Sequence, residues 1–292
     1  MKETLVMKFG GTSVGSVEAI QQMIEIARDA KADWRNVAII VSAMSGVTDK
    51  LLNGAKSAVA GDNSVAEQIA SKLSEKHFNV LEQLAPNAMQ ARETIEKMLE
   101  EFVSLCHAIH VLGEATPRAL DAIASLGERM SAPVVAAALN EAGILANAVD
   151  TRNVLVTDNV YQFASPDMDA TRQKAEQIIK PLFKAKQIPV ITGFIGANRE
   201  GTVTTLGRGG SDFSGAIFGV VLDAREVWIW TDVSGVMSTD PRIEPSARTI
   251  PEVTYKEISE LAFYGAKVLH PKTIRPALEQ GITLWVKNTF AP

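Results

Sequence analysis

The feature that most constrains the fold is a lysine placed directly between an apolar run and a glycine-rich turn. Residues 4–7 form the apolar run, which predicts a buried strand, and KFGGTSVGS follows at residues 8–16. Residues 17–31 predict an amphipathic helix with Ser16 at its N-cap. Because backbone N–H groups at a helix N-terminus lack partners within the helix and carry partial positive charge, this segment predicts an anion site.

The order of residues in this turn differs from two common phosphate-binding motifs. In a P-loop the lysine follows the glycines, whereas here Gly10 and Gly15 have the P-loop spacing and Ser16 stands where the lysine belongs. A dinucleotide-binding G-x-G-x-x-G is absent from the turn. From this segment alone, a turn that only reverses the chain stays open beside a phosphate site.

Composition excludes several classes of protein. The 292 residues carry a net charge of −5, which argues against a nucleic-acid surface, because such a surface needs clustered basic residues. The N-terminus lacks the apolar core of a signal peptide, and no segment approaches the ~20 apolar residues that cross a bilayer. The single cysteine, Cys106, excludes an internal disulfide framework. We therefore expect a cytoplasmic protein with no membrane or nucleic-acid partner.

Strand-like and helix-like segments alternate along the chain. Short apolar runs predict strands at residues 4–7, 37–41, 144–149, 188–192, 227–230 and 282–287. Helices are predicted between them, including an excursion over residues 64–112 that Pro86 divides and a helix over residues 118–141. Gly127 inside that helix predicts close packing or ligand approach, and residues 193–212 predict a loop-rich segment. The alternation predicts an α/β fold with a three-layer, open, mainly parallel sheet and helices on both faces.

A second anion site is predicted in the sequence TTLGRGGSD, near the start of a helix at residues 212–222. Arg208 can form a bidentate pair with a carboxylate or phosphate, and the backbone N–H groups from Gly209 to Ser211 add further contacts. Asp212 would repel an anion unless it organises a lysine or a metal ion. A carboxylate that only caps the helix is the alternative, and the spacing alone does not decide between them.

Six motifs in order resemble one known family. They are KFGGTSV at 8–14, VSAMSGVTD at 41–49, GERMS at 127–131, TTLGRGGSD at 204–212, WTDVSGVMSTDPR at 230–242 and FYGAKVLHP at 263–271. Together they resemble the catalytic domain of the aspartate kinases, within the wider amino acid kinase family. The resemblance covers essentially the whole chain, whereas KFGG alone would indicate only the wider family.

The resemblance implies transfer of the ATP γ-phosphoryl group to the β-carboxylate of L-aspartate, giving 4-phospho-L-aspartate for lysine, methionine and threonine biosynthesis. ATP and Mg²⁺ are the implied cofactors, with no metal held directly by protein ligands. A carboxylate nucleophile is ionised at neutral pH and needs no general base. Catalysis then reduces to alignment and charge stabilisation.

The resemblance also assigns roles to residues. The implied catalytic residues are Lys8, Asp212 and Lys267. The implied substrate-binding residues are Ser42, Thr48, Glu128, Arg208, Gly209, Gly210 and Ser211, with Arg208 on the α-carboxylate and Glu128 on the α-amino group. The implied nucleotide-binding residues are Lys8, Gly10, Gly11, Thr231, Asp232, Met237, Arg242, Lys267 and Val268.

Some of these assignments have plainer alternatives. Glu128 could instead pair with Arg129 on a helix surface, and Ser42 and Thr48 could simply shape a turn. Met237 stands where many relatives carry a tyrosine, which replaces an aromatic contact with a flexible thioether. His270 is interpreted as structural.

In the cluster Cys106, His107, His110 and Glu114, a helical spacing would place His107, His110 and Glu114 along one face, which is compatible with a metal site. No complementary ligand cluster occurs elsewhere in the sequence, so we interpret these four residues as packing or surface features.

The organisation of the chain leaves further expectations. We place a lobe for the amino-acid substrate at residues 1–195 and a nucleotide lobe at residues 196–292. The regulatory domains usual in the family are absent from this sequence, so we expect no feedback inhibition, and a homodimer stays open. The alternatives in function are another carboxylate kinase, such as one acting on acetylglutamate, or a non-catalytic ligand-sensing relative.

Overall fold

A six-stranded sheet, parallel throughout, forms the centre of the computed structural model, which describes residues 2–238, 244, 246–263, 269 and 271–292. Its strands are β1 (Lys2–Phe9), β2 (Trp34–Val41), β3 (Ala146–Val149), β5 (Ile188–Thr192), β8 (Glu226–Thr231) and β9 (Thr283–Asn288). Their order is β3-β5-β2-β1-β8-β9. The strands contain apolar runs because helices cover both faces of the sheet. The predicted α/β fold with a mainly parallel sheet is confirmed.

The helices lie where the periodicity predicts them, with small changes at their ends. They are α1 (Val17–Asp33), α2 (Val47–Val59), α3 (Ser64–Leu84), α4 (Met89–Leu112), α5 (Pro117–Glu141), α6 (Met168–Lys184), α7 (Gly210–Val221), α8 (Tyr255–Phe263) and α9 (Pro271–Gln280). The Ser16 side chain accepts from the Ala19 N–H, so Ser16 is the N-cap of α1 as predicted. Pro86 lies between α3 and α4 and divides the helical excursion.

The alternation of β1 side chains sends neighbouring residues into different cores. Met7 and Phe9 join the cluster that packs against α1 and α5, while Val6 joins the cluster on the other face, with α6 and α7. Because successive side chains of a strand point to opposite faces, Lys8 lies on the same face as Val6. A side chain at Gly215 of α7 would lie 3.4 Å from the Lys8 Cβ, so α7 packs directly against this lysine.

A second, three-stranded sheet takes two of its strands from the segment predicted to be loop-rich, residues 193–212. It has the order β4-β6-β7, from β4 (Val156–Thr157), β6 (Ile195–Asn198) and β7 (Val203–Thr205). β6 and β7 pair antiparallel across a turn with Gly201 at φ 81°. The prediction of a loop was therefore wrong for these residues. The turn residues that indicated a loop make up a hairpin turn, and the strands beside them are too short to show a period.

Helix α5 bears on the expectation that no segment of the chain is long and apolar enough to cross a bilayer. Within the described residues, it is the helix that is long and apolar enough, by length and composition, to cross a membrane, although no such segment was expected. Most of it is buried in the protein, against β3, β5, β7 and the helices α2, α3 and α4. A helix that is surrounded on all sides has no polar face, which explains its composition.

Gly127 in α5 is explained by close packing. A Cβ atom at this position would lie 2.7 Å from the Cβ of Ala43 and 3.3 Å from Thr48 Oγ1. The helix therefore touches the loop that follows β2, as its glycine predicted.

We expect Gly127→Ala to destabilise the protein by about 1–3 kcal/mol, because overpacking against Ala43 outweighs the higher helix propensity of alanine. Urea denaturation of the two proteins measures the difference. A Gly127→Ala protein more stable than the parent would contradict this account of the contact.

Candidate active site

A cavity of about 570 Å³ opens at the carboxyl ends of β1 and β2, where parallel α/β sheets bind ligands. Its walls bring together residues that are far apart in the chain: they come from β1, the turn after β2, α2, α5, the loop between β4 and α6, Phe194, and the segment from the end of β7 into α7. All of the predicted substrate-binding residues line it, namely Ser42, Thr48, Glu128, Arg208, Gly209, Gly210 and Ser211, together with Lys8 and Asp212.

The Lys8 and Asp212 side chains form an ion pair at the base of the cavity. The distance from Lys8 Nζ to Asp212 Oδ1 is 2.5 Å, and Lys8 is only 7% exposed. Asp212 lies in the first turn of α7, yet the N-cap is Gly209, at φ 72°, and no side chain caps the helix. Of the two interpretations of Asp212, organising a lysine therefore fits the structure, and capping does not.

The same pair also lines a second cavity. This smaller space, of about 100 Å³, is bounded by Thr231 at the end of β8 and by Val233, Gly235 and Val236 after it. Lys8 and Asp212 thus lie at the junction between the two cavities.

Glu128 is buried in the wall of the larger cavity. Burial raises the pKa of its carboxyl to about 8, although the Ala43 backbone N–H and the charge of Lys8 act in the opposite direction. Its Oε2 atom is buried and has no hydrogen-bond partner among the described residues. An unpartnered carboxylate oxygen at this place favours a cationic or hydrogen-bond-donating ligand.

The alternative of a surface pair between Glu128 and Arg129 is wrong. Both residues are buried, and the Arg129 guanidinium contacts other carboxylates instead: both Glu101 oxygens at 3.2 Å and an Asp150 oxygen at 3.5 Å. Adjacent helix residues face different directions, so Arg129 does not point into the cavity that Glu128 lines.

Arg208 provides a positive charge in the same cavity that Glu128 lines. It is exposed, and within the described part of the chain it makes no ion pair. The following residues, Gly209 and Gly210, bring the N-terminus of α7 to the cavity wall. This segment can therefore receive a carboxylate or phosphate group.

The predicted nucleotide residues are less completely brought together. Thr231 lines the smaller cavity, whereas Asp232 receives a hydrogen bond from Thr231 Oγ1 at 3.2 Å and is not part of the lining. Met237 lies outside the lining as well, and its Sδ accepts from Thr249 Oγ1 at 3.5 Å. Arg242, Lys267, Val268 and the structural candidate His270 fall outside the described residues.

Gly10 and Gly11 shape the end of β1 without lining either cavity. The Gly10 N–H donates to the Trp230 carbonyl at 3.0 Å, and the Gly11 carbonyl accepts from the Ser45 N–H at 3.0 Å. A Cβ at Gly10 would lie 3.6 Å from Lys8 Nζ. These glycines pack the turn beside the lysine, and their roles toward a nucleotide stay predictions.

Sequence reasoning missed several lining residues. Asp121, Gln162, Phe163 and Phe194 all line the larger cavity. Asp121 had a usable signal, because it lies seven residues before Glu128 and two helical turns place both on one face. Gln162 and Phe163 had none, since they lie in a loop that neither spacing nor composition distinguishes.

The residues from Cys106 to Glu114, which we interpret as packing or surface features, are not arranged as a metal site in the described structure. Cys106 is buried in the helical core, where burial raises the pKa of its thiol to about 11, and His107 is exposed. Among the described residues, no group of three or more His, Cys, Asp or Glu side chains is arranged to hold a metal ion.

Comparison with known proteins places this arrangement in a family. The sequence matches the amino acid kinase family over residues 3–288. The chain belongs to the amino acid kinase family. This family membership agrees with the mainly parallel α/β sheet.

The similar proteins within the family are aspartokinases. The chain is 36% identical to aspartokinase 2, chloroplastic, of Arabidopsis thaliana over 296 residues, which is 99% of this chain and 53% of that protein. It is 34% identical to the lysine-sensitive aspartokinase 3 of Escherichia coli (strain K12) over 293 residues, which is 100% of this chain and 63% of that protein. The chain therefore spans about half to just under two thirds of these relatives.

A solved structure is similar over nearly all of the chain. The crystal structure of E. coli aspartokinase III in complex with aspartate and ADP, described as the R-state, matches with a TM-score of 0.89 at 35% identity. The match covers 98% of this chain and 62% of the other.

The raised pKa of Glu128 predicts how stability depends on pH. A folded-state pKa of about 8, above the ordinary 4.5, means that ionising Glu128 opposes folding as pH rises from about 4.5 to 8. Glu128→Gln removes this penalty. We expect the stability of Glu128→Gln relative to the parent to increase by roughly 1–4 kcal/mol between pH 5 and 8. Urea denaturation at several pH values measures it, and a difference independent of pH would contradict the shift.

Proposed function

We propose that this chain is the catalytic part of an ATP-dependent aspartate kinase, which transfers the γ-phosphoryl group to the β-carboxylate of L-aspartate. The observation that carries the proposal is the Lys8–Asp212 ion pair, which lines both cavities at once. Phosphoryl transfer needs a cation at the point where the acceptor and the nucleotide meet. Lys8 is a buried cation at such a junction.

The larger cavity supports an amino acid as the acceptor. A zwitterionic substrate carries an ammonium and a carboxylate on the same carbon, so its site needs one anion and one cation. Among the described residues, Glu128 contributes a buried carboxylate oxygen without a hydrogen-bond partner, and Arg208 contributes a guanidinium without an ion pair; both side chains line this cavity. Ser42 and Thr48 add hydroxyl groups. The similarity to an aspartokinase solved with aspartate and ADP makes L-aspartate the leading substrate.

The smaller cavity supports the nucleotide side. Thr231 ends β8 at the carboxyl end of the sheet, Val236 follows the strand, and both line the smaller cavity together with Lys8. We propose that residues 196–292 supply most of the nucleotide site and that residues 1–195 supply most of the amino-acid site. The segment at residues 205–212, which lines the larger cavity, and Lys8, which lines the smaller one, are exceptions to this division, and β1 and β8 are neighbours in a single sheet.

Mg²⁺ is the proposed metal, and Asp212 is the carboxylate that lines both cavities among the described residues. Mg²⁺ is usually held by one or two carboxylates, substrate phosphates and several waters. Asp212 borders both cavities but already contacts Lys8 at 2.5 Å, so we expect it to reach the ion through water instead of ligating it directly. When bound, Mg²⁺ would neutralise phosphate charge during the transfer.

In this chemistry the residues of the chain orient the substrate and stabilise charge. The aspartate side-chain carboxylate is already ionised, so no side chain needs to remove a proton from the nucleophile. Glu128 and Arg208 orient the amino acid, and Lys8 stabilises the charge of the transferring group. Asp212 holds the Lys8 ammonium in place through their ion pair. Alignment and electrostatic stabilisation therefore account for catalysis.

The first experiment measures Mg²⁺-ATP turnover in hydroxylamine, which converts an acyl phosphate into a coloured hydroxamate. L-Aspartate, L-glutamate and N-acetylglutamate are run in parallel. We expect hydroxamate with aspartate and a rate at least tenfold lower with the other acids. A preference for N-acetylglutamate would favour another carboxylate kinase of the family, and no product from folded protein would favour a ligand-sensing role.

Lys8→Ala tests the central observation. We expect turnover to fall by about 10²-fold or more, because a preorganised cation is lost at the position of charge transfer. Lys50→Ala is the matched control, since Lys50 is exposed and lines neither cavity. Circular dichroism checks that both variants are folded. Near-normal turnover in folded Lys8→Ala would overturn the proposed role of the pair.

Glu128→Gln tests recognition of the α-amino group. We expect the KM for aspartate to rise about 10- to 100-fold, because a charge-assisted contact worth ~1.5–3 kcal/mol is lost. The KM for ATP should change little. Succinate lacks the amino group, so the preference for aspartate over succinate should narrow by the same factor. An unchanged preference would show that Glu128 does not recognise the ammonium.

A further inference from the structure

Asp121 is a buried carboxylate that the proposed chemistry does not use. It is 1% exposed, lies on α5 two turns before Glu128, and lines the larger cavity. Burial raises the pKa of its carboxyl, while hydrogen bonds from Gln162 and Thr205 oppose that rise. No cation is paired with it among the residues that the structure describes. A buried carboxylate without a cation must be stabilised by hydrogen bonds from neutral donors.

Those donors come from two segments far apart in sequence. Asp121 Oδ2 accepts from the Gln162 N–H at 2.9 Å and from the Thr205 N–H at 2.9 Å. Its Oδ1 accepts from Thr205 Oγ1 at 2.8 Å. One carboxylate therefore joins α5, the end of β7 and the loop between β4 and α6.

The loop at residues 158–165 is closed at its own base. The Asp158 N–H donates to the Ser165 carbonyl at 3.0 Å, and the Ser165 N–H donates to Asp158 Oδ1 at 3.1 Å. Near its far side, Gln162 has φ 68°, in the left-handed region that non-glycine residues seldom adopt. The hydrogen bond to Asp121 falls on this strained residue, where an anchor is needed to keep the conformation.

This loop packs directly on the segment that carries Arg208. Gly207 has φ 77°, and a Cβ there would lie 2.7 Å from the Gln162 carbonyl oxygen and 2.8 Å from Phe163 Cδ1. Phe163 is 60% exposed and still lines the cavity, so it stands at the edge of the cavity. A displacement of Gln162 would therefore move both Phe163 and the support of Arg208.

We propose that Asp121 is a positioning residue for amino-acid binding, which fixes the loop at residues 158–165 against the Arg208 segment. Asp121 acts on the substrate through Gln162, Thr205 and Gly207, and does not touch the reacting atoms. The proposal rests on the proposed function, since it assigns Arg208 and Phe163 to the acceptor site. It adds a determinant of substrate affinity that lies on α5 with Glu128.

Two substitutions at Asp121 separate the effect of losing its hydrogen bonds from the effect of losing its charge. Asn has the same shape, and its oxygen can accept both backbone N–H groups while its amide donates to Thr205 Oγ1, which can reverse its hydroxyl. We expect Asp121→Asn to keep the KM for aspartate within about threefold of the parent. Asp121→Ala loses all three bonds, and we expect its KM for aspartate to rise about tenfold or more, with kcat and the KM for ATP changed by less than about threefold.

Thr204→Val is the matched control for lost stability. Thr204 is the β7 neighbour of Thr205 and is buried, but its hydroxyl hydrogen bonds to Thr157 Oγ1 at 2.7 Å and not to Asp121. We expect this variant to lower the melting temperature without raising the KM for aspartate. A merely structural role for Asp121 would give Asp121→Ala the same behaviour as Thr204→Val, and that result would overturn the proposal.

Amide hydrogen exchange measures how firmly Asp121 holds the Gln162 and Thr205 amides, and it does not depend on an activity assay. We expect the Gln162 and Thr205 amides to exchange at least about tenfold faster in Asp121→Ala than in the parent, and at near-parent rates in Asp121→Asn. Unchanged exchange in Asp121→Ala would overturn the anchoring, even in an active kinase. If the parent phosphorylates no acid, the proposed function fails, and with it the assignment of this anchor to substrate binding, whatever the exchange rates show.

Discussion

The ion pair between Lys8 and Asp212 depends on the alternation of side chains in β1 and on the close packing of α7 against that strand. Strand alternation sends Lys8 to the face that α7 covers, while Met7 and Phe9 enter the other core. Gly215 then lets α7 pack close to the lysine, which brings Asp212, one turn earlier in the helix, within 2.5 Å of its ammonium group. A largely buried cation needs such a partner, because leaving either charge alone would cost several kcal/mol. The pair therefore couples the central strand, the second core and both cavities.

Among the described residues, Glu128 is buried without an ion-pair partner, in contrast to Lys8. Lys8 meets an anion, whereas Glu128 keeps an unpartnered oxygen and a pKa raised by burial to about 8. Such an arrangement is unfavourable for the protein alone, since burial disfavours the ionised form of the carboxyl. An ammonium group on a ligand would reverse that balance, so part of the binding energy would come from relieving a cost built into the fold. The site is arranged for a ligand and not for maximal stability.

The sequence predicts the framework and the ends of strands far better than the connections between them. Lys8 and Arg208 could be singled out because Lys8 follows an apolar run and Arg208 stands beside glycines, and both signals depend on residues close in sequence. The β6–β7 hairpin could not, because strands of three or four residues are too short to show a period, and the turn residues between them resemble any loop. The assignments of Glu128 and Asp212 needed the order of six motifs, since a carboxylate in a helix has many uses. Gln162 and Phe163 are brought to the cavity only by tertiary contacts, for which no local signal exists.

Helix α5 combines these constraints in one element. Its residues reach the cavity through Asp121 and Glu128, the loop after β2 through Gly127, and the neighbouring carboxylates Glu101 and Asp150 through Arg129. Because every side of the helix has a fixed neighbour, a small rotation would disturb contacts on several faces at once. A close glycine contact and a carboxylate with three hydrogen bonds therefore do more than stabilise the helix. They set its rotation, and that rotation determines where the unpartnered oxygen of Glu128 points.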